Sequence, residues 1–125
     1  MSHVVDSWTW IEILSGGRLS AKARQAVAGK ALLTTAANVY EVRNYLKRNS
    51  PGDWEVKLRS VTAQCKAILP IDLQTAELAS EIKISAKNDI GAVDCFSIAA
   101  AKLNGARLVT GDPHFKGLPG VEFIS

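Results

Sequence analysis

Cysteine and histidine are scarce in this chain, two of each, and that scarcity removes several chemistries at once. Cys65 and Cys95 have no CxxC spacing and no histidine beside them, which argues against a structural zinc and against a disulfide framework. Both are expected inside helices among apolar neighbours, as reduced core residues of a cytoplasmic protein. No apolar run approaches the ~20 residues that a membrane span requires. No basic segment leads into an apolar core, so no secretory signal is expected. Neither GxGxxG nor GxxxxGK[ST] occurs, which disfavours a nucleotide-binding module. Acid is missing altogether from residues 13 to 40, a stretch that carries Arg18, Lys22, Arg24 and Lys30.

What is present describes a globular chain. Of 125 residues, 47% are hydrophobic and 22% charged, enough apolar surface for a core and enough length for one domain spanning residues 1–125. The net charge is only +3. If several acids pool in one pocket, the remaining surface is more basic than that total implies. Such a distribution suits a polyanionic substrate approaching an acidic, cation-filled site.

The order of elements follows from periodicity and punctuation. A short strand is predicted at His3–Asp6, then a helix over Ser7–Leu14 stopped by Ser15-Gly16-Gly17. A basic helix follows over residues 18–28, with Gly29 as its C-cap. Ala31–Thr34 forms a second strand, and Thr35 caps a helix carrying Val39, Val42 and Leu46. Asn49-Ser50-Pro51-Gly52 breaks the chain. Asp53 is then expected to cap a helix with Trp54, Leu58, Val61 and Cys65 on one stripe. Lys66–Ile71 is the third strand, helix Leu73–Ser85 comes next, and helix Ala92–Leu103 follows a loop at Asn88–Gly91. Arg107–Thr110 and Val121–Ile124 complete the strands. Alternating strands and helices imply right-handed crossovers, hence an α/β three-layer sandwich around a mainly parallel five-stranded sheet.

Four acids stand where charge is unusual. Asp6 ends the apolar run His3-Val4-Val5, and Asp112 ends Arg107–Gly111. Asp94 opens an almost wholly apolar helix, and Glu41 lies on the flank of an amphipathic one. Ligand sites in open parallel sheets lie beyond the carboxyl ends of the strands. A helix antiparallel to its strand brings its N-terminus to that same edge. All four acids can therefore meet there, as a carboxylate nest suited to a hard divalent cation, Mg²⁺ or Mn²⁺, with oxygen ligands. Taken singly, each has a plainer role: Asp6 as a helix cap, Asp112 before Pro113 as a turn former, Asp94 as a helix-dipole partner. Arg18, Lys22 and the i,i+4 pair Arg43/Lys47 are candidates for phosphate contacts, or a solvated face. His114 can touch substrate from its loop near Asp112, or be bystander surface, and the tryptophans are expected to pack.

In these motifs the chain resembles a PIN-domain nuclease, most closely the VapC-type toxin branch. The resemblance rests on Val5-Asp6-Ser7 with Trp10-Ile11-Glu12, then Thr34–Glu41, then Asp94-Cys95-Phe96-Ser97-Ile98-Ala99, and last Val109-Thr110-Gly111-Asp112 with Phe115. It implies strand order 3-2-1-4-5 and a metal-dependent endoribonuclease that is often dimeric. Asp6, Glu41, Asp94 and Asp112 match the family's acidic positions; Ser7 and Thr110 match its hydroxyl positions. An RNA substrate, a cognate antitoxin protein and a homodimer are implied by the resemblance alone. One departure is Trp8, where the family commonly has a small polar residue. The alternatives are a nuclease of the same fold that processes RNA or cuts single-stranded DNA without an antitoxin, and a non-catalytic α/β signalling module binding metal or phosphate.

Overall fold

The computed structural model describes residues 1–125. Its strands are β1 (Ser2–Val5), β2 (Ala31–Thr35), β3 (Cys65–Leu69), β4 (Arg107–Thr110) and β5 (Val121–Phe123). The helices are α1 (Ser7–Ser15), α2 (Ser20–Val27), α3 (Ala36–Asn49), α4 (Trp54–Gln64), α5 (Leu73–Ser85) and α6 (Ala92–Leu103), with a 3-10 turn at Pro113–Phe115. The sheet order is β3-β2-β1-β4-β5, and all four pairings are parallel. The expected α/β architecture and strand order are both present.

Alternation along the strands builds two cores. Val5, Leu32 and Val109 face one side, packed with Trp10, Ile13, Val42, Leu46 and Val61 from α1, α3 and α4. Val4, Leu33 and Leu108 face the other, packed with Ala79, Cys95, Ala99 and Phe115. Successive strand side chains point to opposite faces, so adjacent apolar residues such as Val4-Val5 serve both layers. The sheet is therefore covered by α1–α4 on one face and by α5 and α6 on the other. Two buried polar side chains in the first layer are paired: the Trp10 indole donates to Thr34 Oγ1 at 3.2 Å, and the Thr34 hydroxyl donates to the Val5 carbonyl at 2.7 Å.

Several boundaries differ from the sequence expectation, each for a local reason. β1 ends at Val5 because Asp6 has turned to cap α1, its Oδ1 accepting from Thr9 N at 3.0 Å. The basic helix is shorter than 18–28, ending at Val27 with Ala28 as C-cap; Gly29 follows with φ +71°. Asp53 occupies the N-cap position of α4 but makes no side-chain cap bond, its carboxylate lying 3.6 Å from Lys57 instead. Cys65 is the first residue of β3 and is half-buried, so the third strand begins earlier and stops at Leu69, before Pro70. The register between β2 and β3 skips Lys66, leaving a bulge there. The turn at Pro113–Phe115, absent from the sequence expectation, is seeded by Asp112, whose Oδ1 accepts from His114 N at 2.9 Å.

Thr35 does cap α3, and it does so reciprocally. Its hydroxyl accepts from Asn38 N at 3.1 Å, while Asn38 Oδ1 accepts from Thr35 N at 3.3 Å. The arrangement is a capping box with Asn in the usual Glu/Gln position. Thr35→Val removes the cap at a buried position and is expected to lower unfolding free energy by about 1–2 kcal/mol. Thr35→Ser should recover most of it in the same denaturant titration.

Candidate functional site

The carboxyl edge of the sheet carries a cleft of about 600 Å³ between α1 and α3, whose lining includes Ser7, Trp8, Glu41, Tyr45, Arg48, Asp94 and Asp112. Glu41 reaches it from the second turn of α3, Asp94 from the first turn of α6, and Asp112 from just beyond β4. Asp94, Asp112 and His114 each offer a ligand atom, and these atoms lie within 4.8 Å of one another. Asp6 lies behind them, 2% exposed, close enough to Asp94 for the two charges to oppose each other. Three of the four acids thus share an open cleft, and the fourth sits as a buried backing. None of the four forms an ion pair with Lys or Arg; the only such partner is His114, whose Nδ1 is 2.9 Å from Asp112 Oδ1.

A chain of hydrogen bonds from neutral donors holds this arrangement. Asn38 is 1% exposed, and its amide donates to Ser7 Oγ at 3.0 Å and to Ser97 Oγ at 3.1 Å. Ser7 Oγ in turn donates to Glu41 Oε1 at 2.5 Å. One side chain therefore ties together the starts of α1 and α3 and the second turn of α6. Asp6 is fixed from its own helix: Oδ1 accepts from Thr9 N and from Thr9 Oγ1 at 2.8 Å, and Thr9 Oγ1 also reaches the Val109 carbonyl at 3.0 Å. Thr110, the second expected hydroxyl, is fully buried and accepts from Asp112 N at 3.1 Å.

The plainer cap and turn roles weighed from sequence for Asp6 and Asp112 are present, and they leave Asp112 free to line the cleft as well. Asp6 and Asp112 are helix caps that spend one oxygen each on backbone. Asn38, Thr9 and Ser97 had no place in the sequence-based site. The spacing Thr35-x-x-Asn38, a capping box with an amide in third place, is the signal that points to Asn38. His114 joins the cluster because an Asp capping a 3-10 turn draws the residue two positions on against its own carboxylate.

Of the basic candidates, none lines the cleft. Arg18 and Lys22 are exposed, and Lys22 Nζ donates to the Ser125 carbonyl at 2.7 Å. Arg43 and Lys47 lie over the Trp54 ring, 4.9 and 5.3 Å from its centroid, a cation–π pairing that packs α3 against α4. Trp8 packs its six-membered ring against Gly111, where an added Cβ would overlap it. The indole thus lines the cleft beside the acids.

Burial pushes the Asp6 carboxyl up to about 7, against the opposing effect of the Thr110 and Thr9 hydrogen bonds. Burial also raises Asp94, to about 6, helped by the negative charges of Asp112 and Glu41. Two carboxylates about 5 Å apart repel by roughly 3 kcal/mol at an effective dielectric near 20. With no Lys or Arg among them and only His114 partly opposing that repulsion, the set either takes up protons or takes a cation. Its donors are mainly carboxylate oxygens, the chemistry that hard divalent cations favour.

The PIN domain family model matches residues 3–121, and the chain belongs to the PIN domain family. No curated protein matches it. Among solved structures, a toxin–antitoxin complex from Klebsiella pneumoniae aligns with TM-score 0.79 and 23% identity, over 96% of this chain and 95% of that one. The Mycobacterium tuberculosis VapC20, a Sarcin-Ricin loop cleaving toxin, aligns with TM-score 0.80 and 18% identity over 98% and 99%. FitAcB from Neisseria gonorrhoeae aligns with TM-score 0.75 and 20% identity over 98% and 96%. At these identities the likeness is one of fold.

Folded Asp6 and Asp94 titrate above the unfolded value of about 4, so between pH 4 and about 7 the folded chain holds protons that the unfolded chain has released. Their stabilising contribution is complete below pH 4 and is lost as pH rises toward 7. Cation-free protein should accordingly melt at lower temperature at pH 8 than at pH 5, with Asp94→Asn flattening that slope in differential scanning calorimetry. Separately, Gly111→Ala should destabilise by about 1–3 kcal/mol through overpacking against Trp8. Adding Trp8→Phe should restore part of the loss; an additive double mutant would mean that the two do not interlock.

Proposed function

We propose that this chain is a Mg²⁺- or Mn²⁺-dependent endoribonuclease and the toxin of a two-component toxin–antitoxin pair, active in the cytoplasm. The observation that carries the reading is the gathering of Glu41, Asp94 and Asp112 on one cleft over Asp6, with no Lys or Arg paired to any of them. The PIN fold and its toxin relatives support the assignment, and the absence of phosphate-cradling loops disfavours a signalling module.

In this mechanism Asp94 and Asp112, whose carboxylate oxygens lie within 4.8 Å of each other, would hold the cation, with Asp6 adding negative charge from behind. A bound divalent cation supplies a water of lowered pKa and neutralises charge on the phosphate oxygens. Glu41, oriented by the Ser7 hydroxyl, positions the attacking water or helps to hold a second cation. His114 keeps Asp112 in a fixed rotamer, and Thr110 anchors the backbone from which Asp112 projects. Asp6 and Asp94, whose burial favours the protonated form, would have to be ionised to hold a cation, so cation affinity is expected to strengthen with rising pH. The toxin relatives support an antitoxin partner for this chain. Such a partner has an obvious target in the acids, since a basic side chain inserted among them would occupy the cation's place. A homodimer belongs to the same reading.

Cleavage of single-stranded RNA by chelator-treated protein should return on adding Mn²⁺ and fall at least about a hundredfold in Asp94→Asn and Glu41→Gln. Retention of metal-dependent cleavage by Asp94→Asn would remove the assignment. Parallel assays on single-stranded DNA separate an RNA-specific enzyme from a general one. Growth arrest on expression, relieved by a co-expressed partner, separates a toxin from a processing nuclease. Mn²⁺ should also raise the melting temperature more at pH 8 than at pH 5, and Asp94→Asn should lose that response whatever its activity.

A further inference from the structure

The cleft does not end at the acids. Glu41, Asn44, Tyr45 and Arg48 all line it, and they fall at positions i, i+3, i+4 and i+7 of α3, a single stripe along one helical face. From Glu41 to Arg48 that stripe runs ~10 Å along the helix axis. The cleft is therefore polar in the literal sense: carboxylates at the end nearest the sheet, a guanidinium at the other. Arg48 is exposed and is in ion-pair contact with no acid. It is also the only Lys or Arg among the residues that line this cleft. Arg43 and Lys47, its neighbours on α3, are committed to Trp54 on a different face. Trp8 from α1 lines the cleft too, and with Tyr45 and Tyr40, the latter 63% exposed, it gives the lining three aromatic rings.

We propose that the stripe from Glu41 to Arg48 is the track of a single nucleic-acid strand, with Arg48 gripping a phosphate further along from the one the acids address. This rests on the nuclease reading and gives that site a direction. A guanidinium presents several donors in a planar fork and takes phosphate oxygens in pairs. Aromatic rings beside such a groove supply stacking surface for unpaired bases. Aromatic rings lining a cleft suit splayed, unpaired bases and favour single-stranded segments over a duplex, whose bases are stacked inside. Arg48 fixes register along the strand and does not read base identity.

The test uses the full chain, Arg48→Ala, Arg48→Lys and the charge-matched control Arg59→Ala, on an exposed face of α4 outside the cleft. Binding of a fluorescent single-stranded RNA 12-mer is measured by anisotropy with Ca²⁺ present, and cleavage is measured with Mn²⁺. Arg48→Ala is expected to weaken binding about tenfold and to lower the slope of log affinity against log salt by about one. In cleavage it should raise KM with kcat nearly unchanged, and Arg48→Lys should recover part of the affinity. Arg59→Ala should match the parent protein. A dinucleotide, too short to reach Arg48, should be handled alike by parent and Arg48→Ala. Equal affinity and salt slope for parent and Arg48→Ala would overturn the proposal even if cleavage is robust. RNA binding that depends on Arg48 without any cleavage would instead sustain the track and refute the nuclease reading. If the parent neither binds nor cleaves, both fail.

Discussion

Mutual repulsion among carboxylates is the constraint around which this fold is arranged. Asp94 and Asp112 lie within a few ångströms of each other, Glu41 shares their cleft, and Asp6 is buried behind them. A soluble protein ordinarily relieves such crowding by placing an Arg or Lys among the acids. This one does not, although it carries more basic residues than acidic ones. Several of its basic residues are engaged elsewhere: Lys30 with Glu122 at 2.6 Å, Lys57 with Asp53, Arg43 and Lys47 with Trp54. Arg48, which does line the cleft, pairs with none of the acids. The unresolved repulsion is held in place by the rest of the core, and it is what makes the edge of the sheet chemically distinctive.

Holding that cluster falls to neutral groups. Asn38 is central because one amide meets Ser7 and Ser97 while its carbonyl oxygen serves the cap of its own helix. A charged side chain in that position would change the electrostatics of the acids; an amide orients without adding charge. The same economy recurs at Asp6 and Asp112, each of which gives one oxygen to a helix start. Their rotamers are thereby set by backbone hydrogen bonds, independent of any occupant. Little side-chain freedom remains to be lost when a ligand arrives, which favours tight binding.

Much of this was legible in the residues, and the exceptions are physical. Strand alternation and helix punctuation define the architecture well: Leu73–Ser85, Ala92–Leu103 and Arg107–Thr110 coincide with observed elements. The acids at strand ends mark the edge where they meet, because strand direction and crossover handedness leave few other arrangements. Boundaries were less legible where a side chain had two uses, as with Asp6, which both closes β1 and caps α1. Cys65 is misplaced by periodicity because the stripe of α4 runs directly into β3 without a loop. Asn38 was missed, and His114 was weighed only as a substrate contact or bystander and not as the partner of Asp112, because these roles come from contacts across the fold or within a tight turn, which no periodic pattern records. The four basic candidates were chosen from helical spacing; spacing cannot say which face of α3 looks into the cleft, and Arg48 alone does.

The bulge at Lys66 has its own consequence. β3 closes one side of the sheet with an unpaired row of amides and carbonyls, and its outward residues Lys66, Ala67 and Ile68 are open to water. Such a margin is an invitation for a foreign strand to add itself. The extra residue interrupts the regular ladder just where a newcomer would need it, it carries a positive charge, and Pro70 forbids continuation a few residues later. The protein thus remains guarded against templated stacking with its own copies, a safeguard independent of whatever chemistry occurs at the opposite end of its strands.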